Sequence, residues 1–275
     1  MGWKETAEPV LTRMPSVTRP EGHVPFRRKL GWTAGILVLY FFLTNVQLFG
    51  LDAGTQSDLF GRFRSILAGS SGSILQLGIG PIVTASIVLQ LLGGADLLGL
   101  DTDDPRDQVL YQGLQKLLVV AMICLTGLPM VFAGNFLPAD PAVGQALGIG
   151  LTGVQGLLFL QIAVGGILIL FMDEIVSKWG VGSGVGLFII AGVSQQLVGG
   201  LFAWEGLGGT AGFFPTWFAI LTGTQDIASP LTAEGLQALL LGQGQLLALV
   251  TTVLIFSIVV YAESVRIEIP LSHAR

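Results

Sequence analysis

Long apolar stretches without charge are the feature that most limits what this chain can fold into. No charged residue lies between Gly31 and Gln47, and residues 109–135, 147–172, 180–203 and 235–262 are nearly free of charge. A helix that crosses the roughly 30 Å core of a bilayer needs about 20 apolar residues. Charged residues make up 11% of the chain, against about 25% in a typical globular domain. The sequence therefore predicts an all-α integral membrane protein.

The hydrophobic pattern predicts about six transmembrane helices. Their expected positions are about 30–49, 74–92, 111–133, 153–172, 184–201 and 239–261. The first 29 residues are polar and contain four prolines, whereas a cleavable signal would place its apolar core sooner. We therefore expect the first apolar helix to be kept as a span.

The distribution of basic residues predicts the orientation, because cytoplasmic loops are enriched in Lys and Arg. With a cytoplasmic N-terminus, the outer side holds only Arg62 and Arg64. The inner side then holds Lys4, Arg13, Arg19, Arg27, Arg28, Lys29, Arg106, Lys116, Lys178, Arg266 and Arg275. The N-terminus is therefore predicted to be cytoplasmic.

The segment between the first two spans is too polar to cross a membrane and too apolar for an ordinary loop. Ser57 or Asp58 can serve as the N-cap of a short helix. Apolar residues then recur at helical spacing, namely Leu59, Phe60, Phe63, Ile66 and Leu67. The pattern predicts an amphipathic helix over about 57–68. From the residues alone, an interfacial helix on the outer surface is an open alternative.

The segment between the fifth and sixth spans, residues 203–235, is rich in glycine and aromatic residues. Trp and other aromatic side chains favour the membrane interface, so 213–221 is a candidate to dip into it. The segment could act as a hinge between two groups of helices, or it could be a passive loop.

Two spans carry aliphatic stripes. Ile79, Val83 and Ile87 share a face of the second span, which Gly78–Pro81 should break or kink. Val185, Ile189 and Val193 share a face of the fifth, which opens with the glycine-rich run 182–186. Both stripes could equally well pack against neighbours or face lipid.

Residue patterns for catalysis or metal binding are weak or absent. Gly69–Gly72 matches the GxSG pattern of intramembrane serine proteases, but Ser71 would need a base within reach, and no His lies in a predicted span. Cys124 is a lone cysteine in an apolar run. No metal or cofactor site is expected, and the chain is not expected to be an enzyme. Half of a secondary transporter is an alternative, although the stripes lack the converging polar groups of a small-solute site.

Two strings of residues carry a resemblance to a known family. The string from Leu77 to Leu92, LGIGPIVTASIVLQLL, resembles the second span of the SecY protein-conducting channels. The string from Trp179 to Val193, WGVGSGVGLFIIAGV, resembles the start of their fifth span. The resemblance covers essentially the whole chain, is archaeal in style, and extends to the basic cluster before the first span.

The resemblance implies roles for features already described. Ile79, Val83, Ile189 and Val193 match the ring of aliphatic side chains at the waist of the pore. The short helix near Asp58–Ala68 matches the plug that closes the pore from outside, with Asp58, Leu59, Phe60, Phe63, Ile66 and Leu67 as its residues. The second and third spans match one wall of the lateral gate, with Thr84 and Gln90 as candidate gate residues.

The resemblance also implies an organisation and a set of partners. Residues 1–29 would be a cytoplasmic segment, 30–201 the first five-helix half, 202–238 an external hinge, and 239–275 the sixth span with the start of a ribosome-binding loop. Because the family has ten spans, the 275 residues are expected not to form a sealed channel alone. The implied partners are SecE-like and beta-type small membrane subunits, the ribosome, secretory nascent chains with their signal sequences, and lipid, with no direct DNA binding.

Overall fold

A computed structural model of the chain describes residues 9, 14–20, 22, 24–52, 69–95, 97, 99, 104–133, 136–203, 212–222, 237, 240 and 246–265. The chain divides into two compact units, Met1–Ser194 and Gln195–Arg275. The secondary structure of the described residues is helical, with two isolated β-bridges.

Three helices account for the first three predicted spans. Helix α1 is Phe26–Asn45, α2 is Gly80–Gly94 and α3 is Pro105–Phe132. Helix α2 begins six residues after the predicted position, because turns occupy 74–79 and Gly78 has a φ of 55°. A glycine adopts positive φ without the steric cost that other residues meet. The predicted break at Gly78–Pro81 is therefore confirmed as the start of the helix, with Pro81 in its first turn.

Helices α4 and α5 follow a short loop. Helix α4, Pro141–Leu147, is capped by Asp140, whose carboxylate accepts a hydrogen bond from the Ala142 amide at 2.8 Å. It ends at Gly148, which has a φ of 67°. Helix α5, Gly150–Trp179, contains the fourth predicted span and extends beyond both of its ends.

The remaining helices are α6, Gly184–Phe202; α7, Phe213–Leu221; and α8, Leu246–Ser264. Helix α6 matches the fifth predicted span within one residue. Helix α7 is the aromatic segment for which the sequence suggested contact with the membrane interface, and Phe213 packs edge to face on Phe214. Helix α8 begins inside the sixth predicted span and ends three residues beyond it.

Four helices in the described part of the chain are long and apolar enough to cross a membrane: α3 from Asp107, α5, α6 and α8. The other two predicted spans are also helices, but α2 has only 15 residues. Helix α1 opens with the charged run Arg27 to Lys29, so its apolar part starts only at Leu30.

Helix α5 is the central element of the first unit. Its buried side chains belong to two apolar clusters, one built with α1, α2, α3 and α6, the other with the segments around Leu48 and Leu137. Gly165 faces the backbone carbonyl of Ile74 so closely that a Cβ there would overlap it. Small residues of this kind let helices and neighbouring backbone approach closely.

Candidate functional site

The residues predicted to line a pore lie on α2 and α6. Ile79 is the N-cap of α2 and is only 2% exposed. Val83 and Ile189 are half-buried, and they pack on the same apolar cluster that contains Ile79. Val193, one turn further along α6, is 43% exposed. The structure therefore gathers three of the four residues at one cluster and leaves Val193 outside it.

Each aliphatic stripe runs along the border of a buried face. On α2 the buried side chains are Ile82, Ala85 and Leu89, while Ile87, the last member of the stripe, is 51% exposed. On α6 the buried residues are Gly184, Phe188, Ala191 and Gly192. The two stripes are thus only partly used for packing within this chain.

The two candidate gate residues lie on the exposed side of α2. The Thr84 hydroxyl donates to the Gly80 carbonyl at 2.9 Å, within its own helix, and Gln90 is exposed. A polar contact between the second and third spans comes instead from other residues. The side-chain amide of Gln115 on α3 donates to the Ser86 hydroxyl on α2 at 3.1 Å. Neither residue was predicted from the sequence, although both are polar residues inside apolar spans.

The predicted plug residues Asp58, Leu59, Phe60, Phe63, Ile66 and Leu67 lie outside the described residues. The two flanks of that segment are described, and they pair with each other. The Leu48 amide donates to the Gly72 carbonyl at 2.8 Å, and the Ile74 amide donates to the Val46 carbonyl at 3.0 Å. These bonds make Gln47 and Ser73 directly opposed in an antiparallel bridge.

An ionic cluster joins α3 and α5 to the N-terminal segment. The Glu174 carboxylate accepts from Lys116 at 2.9 Å and from Lys178 at 2.7 Å, and all three side chains are between 11% and 14% exposed. Each lysine also donates to an N-terminal backbone carbonyl, Lys116 to Pro15 at 2.8 Å and Lys178 to Val17 at 2.5 Å. Charge-assisted hydrogen bonds of this kind are stronger than neutral ones.

Asp173, the neighbour of Glu174, has a separate structural role. Its carboxylate accepts the Val185 amide at 2.9 Å, which satisfies one of the free N–H groups in the first turn of α6. Gly184 approaches so closely that a Cβ there would lie 2.6 Å from the Asp173 Cα. Gly184, the first residue of α6, therefore has a packing reason, which the sequence alone did not reveal.

The described residues contain no group of three or more His, Cys, Asp or Glu side chains that could hold a metal ion. The geometry instead consists of apolar stripes, helix breaks and hydrogen bonds that satisfy the backbone. Such an arrangement can line or support a passage, and it offers polar groups mainly where irregular backbone needs them.

Comparisons with known proteins cover nearly every residue of the chain. The family model described as SecY matches residues 73–275, and the one described as the plug domain of Sec61p matches residues 38–72. The chain is 81% identical over its whole length to the protein translocase subunit SecY of Haloferax volcanii, of which it covers 56%. It is 48% identical over 97% of its length to the corresponding subunit of Archaeoglobus fulgidus, of which it covers 54%.

Solved structures agree with the sequence comparisons. The structure described as that of a protein-conducting channel matches 97% of this chain and 54% of its own, with a TM-score of 0.72 and 36% identity. Sec61 in the canine ribosome–channel complex matches the same shares with a TM-score of 0.71. The chain thus spans about half the length of the relatives it matches. With the family models covering residues 38–275 and these relatives matching almost the whole chain, this multi-pass membrane protein belongs to the SecY family.

Proposed function

We propose that this chain is the N-terminal part of the central subunit of a protein translocation channel. The channel passes unfolded secretory polypeptides across the membrane and releases transmembrane segments sideways into lipid. The observation that carries the proposal is the match of 97% of the chain to a protein-conducting channel at a TM-score of 0.72. The role of this chain is transport, with the driving force supplied by a partner.

The ring of the pore is formed on this side by Ile79, Val83, Ile189 and Val193. Aliphatic side chains make a constriction that repels water and ions, yet they can yield around a passing peptide. Support comes from the position of three of them: Val83 and Ile189 are only partly covered within this chain, and Val193 is 43% exposed, whereas Ile79 is buried at 2%. Residues beyond the matched half of the relatives would complete the ring.

The plug and the gate belong to the same proposal. The segment with Asp58, Leu59, Phe60, Phe63, Ile66 and Leu67 closes the pore from outside, which the match of residues 38–72 to a plug domain supports. Helices α2 and α3 form one wall of the lateral gate, with Thr84 and Gln90 on the exposed side of α2 facing an arriving signal sequence.

The proposed partners are a translating ribosome, SecE-like and beta-type small membrane subunits, nascent chains with signal sequences, and the bilayer. The similarity to Sec61 in a ribosome–channel complex supports the ribosome. The cytoplasmic N-terminus is supported by the excess of basic residues on that side. It would place the ionic cluster around Glu174 at the cytoplasmic end.

Site-specific crosslinking tests the assignment of the ring. In the full-length protein with Cys124→Ala, a single cysteine is placed at Ile79, Val83, Ile189 or Val193. A stalled secretory chain that carries one cysteine is then offered. We expect disulfide crosslinks at these positions that require an intact signal sequence, because the peptide must pass within contact distance of the ring.

Ile190 provides the matched control, since it follows Ile189 directly on α6 but is 65% exposed and lies off the stripe. A cysteine there should crosslink far less than one at Ile189. Equal crosslinking at Ile189 and Ile190, or none at any of the four ring positions in an engaged complex, would contradict the proposed path.

A further inference from the structure

The backbone that follows α1 is irregular, yet its polar groups are paired on two sides. Toward 72–74, it makes the two bonds that set Gln47 opposite Ser73. Toward 138–140, the Asp52 amide donates to the Pro138 carbonyl at 2.9 Å, and the Gly50 carbonyl accepts from the Asp140 amide at 2.9 Å. Phe49 lies between these two sets of bonds, and neither set includes its amide or its carbonyl.

Gln161 of α5 supplies both partners of Phe49. The Gln161 Oε1 accepts from the Phe49 amide at 2.9 Å, and its Nε2 donates to the Phe49 carbonyl at 3.0 Å. A primary amide carries one acceptor and a donor group in a fixed plane, so a single side chain completes the pattern that a neighbouring strand would otherwise provide. The two residues are 112 positions apart in the chain.

The surroundings of Gln161 offer few other polar groups that could satisfy Phe49. Gln161 is flanked on the helix by the buried Leu158 and Ile162, and it lies within a stretch of α5 that has no charge from Gly150 to Met172. Both bonds lie at the surface of this chain, where Phe49 is 59% exposed. At membrane depth, irregular backbone is tolerated only where protein groups or a water-filled cavity satisfy it. An apolar residue at 161 would leave both polar groups of Phe49 without these partners.

We propose that Gln161 is a positioning residue that holds the base of the plug-domain segment. The paired residues 46–48 and 72–74 bring together the chain that enters residues 53–68 and the chain that leaves them. Gln161 locks the entering side to α5, and the Gln76 side chain, which accepts the Gly72 amide at 2.6 Å, secures the leaving side. The consequence for transport rests on the proposed function.

The first test measures how firmly positions 47 and 73 are held together at the base of the plug-domain segment. In the full-length protein with Cys124→Ala, cysteines replace Gln47 and Ser73, which face each other as a closely spaced antiparallel pair suited to a disulfide. Gln161→Met keeps the length of the side chain and removes both bonds to Phe49. We expect it to slow disulfide formation in membranes several-fold, and an unchanged rate would overturn the proposal.

Gln155→Met is the matched control. Gln155 lies on the same helix, and the structure shows no hydrogen bond from its side chain to the described residues. This variant should therefore form the disulfide as fast as the parent. If both variants slow the reaction equally, the effect comes from the loss of any glutamine on α5, and the specific role of Gln161 is refuted.

Amide hydrogen exchange on the unmodified full-length protein covers the case in which Gln161→Met does not accumulate. The Phe49 amide should exchange about as slowly as that of Leu48, whose partner is the backbone carbonyl of Gly72. Exchange at Phe49 that is orders of magnitude faster than at Leu48 would show that Gln161 does not hold it.

A transport measurement distinguishes a positioning role of Gln161 from a general effect on the stability of the protein. With the full-length channel in vesicles, Gln161→Met should raise passage of a precursor with a disabled signal sequence several-fold, relative to passage of the intact precursor, and Gln155→Met should not. A ratio equal to that of the parent would overturn the positioning role. If the parent passes no precursor at all, the proposed function fails, and the disulfide and exchange rates still decide whether Gln161 anchors the base.

Discussion

Glu174 shows how much one residue can organise at the end of a helical bundle. Its carboxylate joins a lysine from α3 and a lysine from its own helix, and both lysines hold backbone carbonyls of the N-terminal segment. The indole of Trp179 adds a third bond, donating to the Thr18 carbonyl at 2.9 Å. The N-terminal segment is thus held through its main chain, so the sequence of residues 15–18 would not reveal the attachment.

Glu174→Gln should destabilise the full-length protein. Two largely buried ammonium groups would lose their common counter-charge, and losing one partner of such a network costs about 1–3 kcal/mol when some solvent remains. Thermal unfolding in detergent measures the loss. Glu263→Gln, at an exposed position of α8, is the matched control, and equal melting temperatures for the two variants would show that the network contributes nothing.

Gly184→Ala tests whether Gly184 is required by its close packing on Asp173. A Cβ at this position would lie 2.5 Å from the Asp173 carboxylate oxygen, whereas one at Gly186 would meet nothing within 4 Å. We expect Gly184→Ala to cost about 1–3 kcal/mol, as overpacked sites do. Gly186→Ala should be neutral or slightly stabilising, because alanine favours helix. Chemical denaturation measures the free energy of unfolding of both variants. A reversed order of stability would refute the explanation.

At the scale of elements, α5 packs through close approach at glycines as well as through its buried aliphatic side chains. Gly165 lies against the Ile74 carbonyl, and a Cβ at Gly166 would lie 2.8 Å from the Ile123 side chain. The turns at 74–79 can therefore pack directly on the helix, which sets where α2 begins. Gly165 thus bears on the position of α2 and Ile79, whereas Gly166 lets Ile123 of α3 pack closely on α5.

Gly165→Ala should therefore disturb the fold far more than Gly156→Ala, on the same helix. At Gly165 the added carbon meets rigid backbone of Ile74, whereas at Gly156 it meets nothing within 4 Å. We expect a loss of at least about 3 kcal/mol for Gly165→Ala, seen as a lower melting temperature or loss of the folded protein from membranes. Equal melting temperatures for the two variants would mean that α5 and the turns are not in such close contact.

Sequence reasoning located the elements better than their ends or their contacts. Each of the six predicted spans coincides with a described helix, because hydrophobic length is a local property. Hydrophobic length did not place the start of α2, since the turns at 74–79 are apolar enough to look like membrane helix. It also gave no sign of α4, whose seven residues are too short for a periodic pattern. Gln161 was missed because its partner, Phe49, is distant in sequence.

At the scale of the whole molecule, the apolar helices differ in how much of their surface this chain covers. In α5, 39% of the most apolar stretch is buried, against 17% in α6 and none in α8. Lipid can cover such surfaces, and so can protein. Because the relatives are nearly twice as long as this chain, we expect the exposed side of the aliphatic stripes to be completed by protein from their other half.

The most direct test of the central claim is transport by the full-length protein. The protein is reconstituted in vesicles with the proposed small membrane subunits and given ribosomes that translate a secretory precursor. We expect the precursor to become protected from added protease only when its signal sequence is intact. Replacing Ile79 and Val83 with charged residues should raise ion leakage through the resting vesicles. A complex that binds the ribosomes yet never protects the precursor would show that the protein is not a translocation channel.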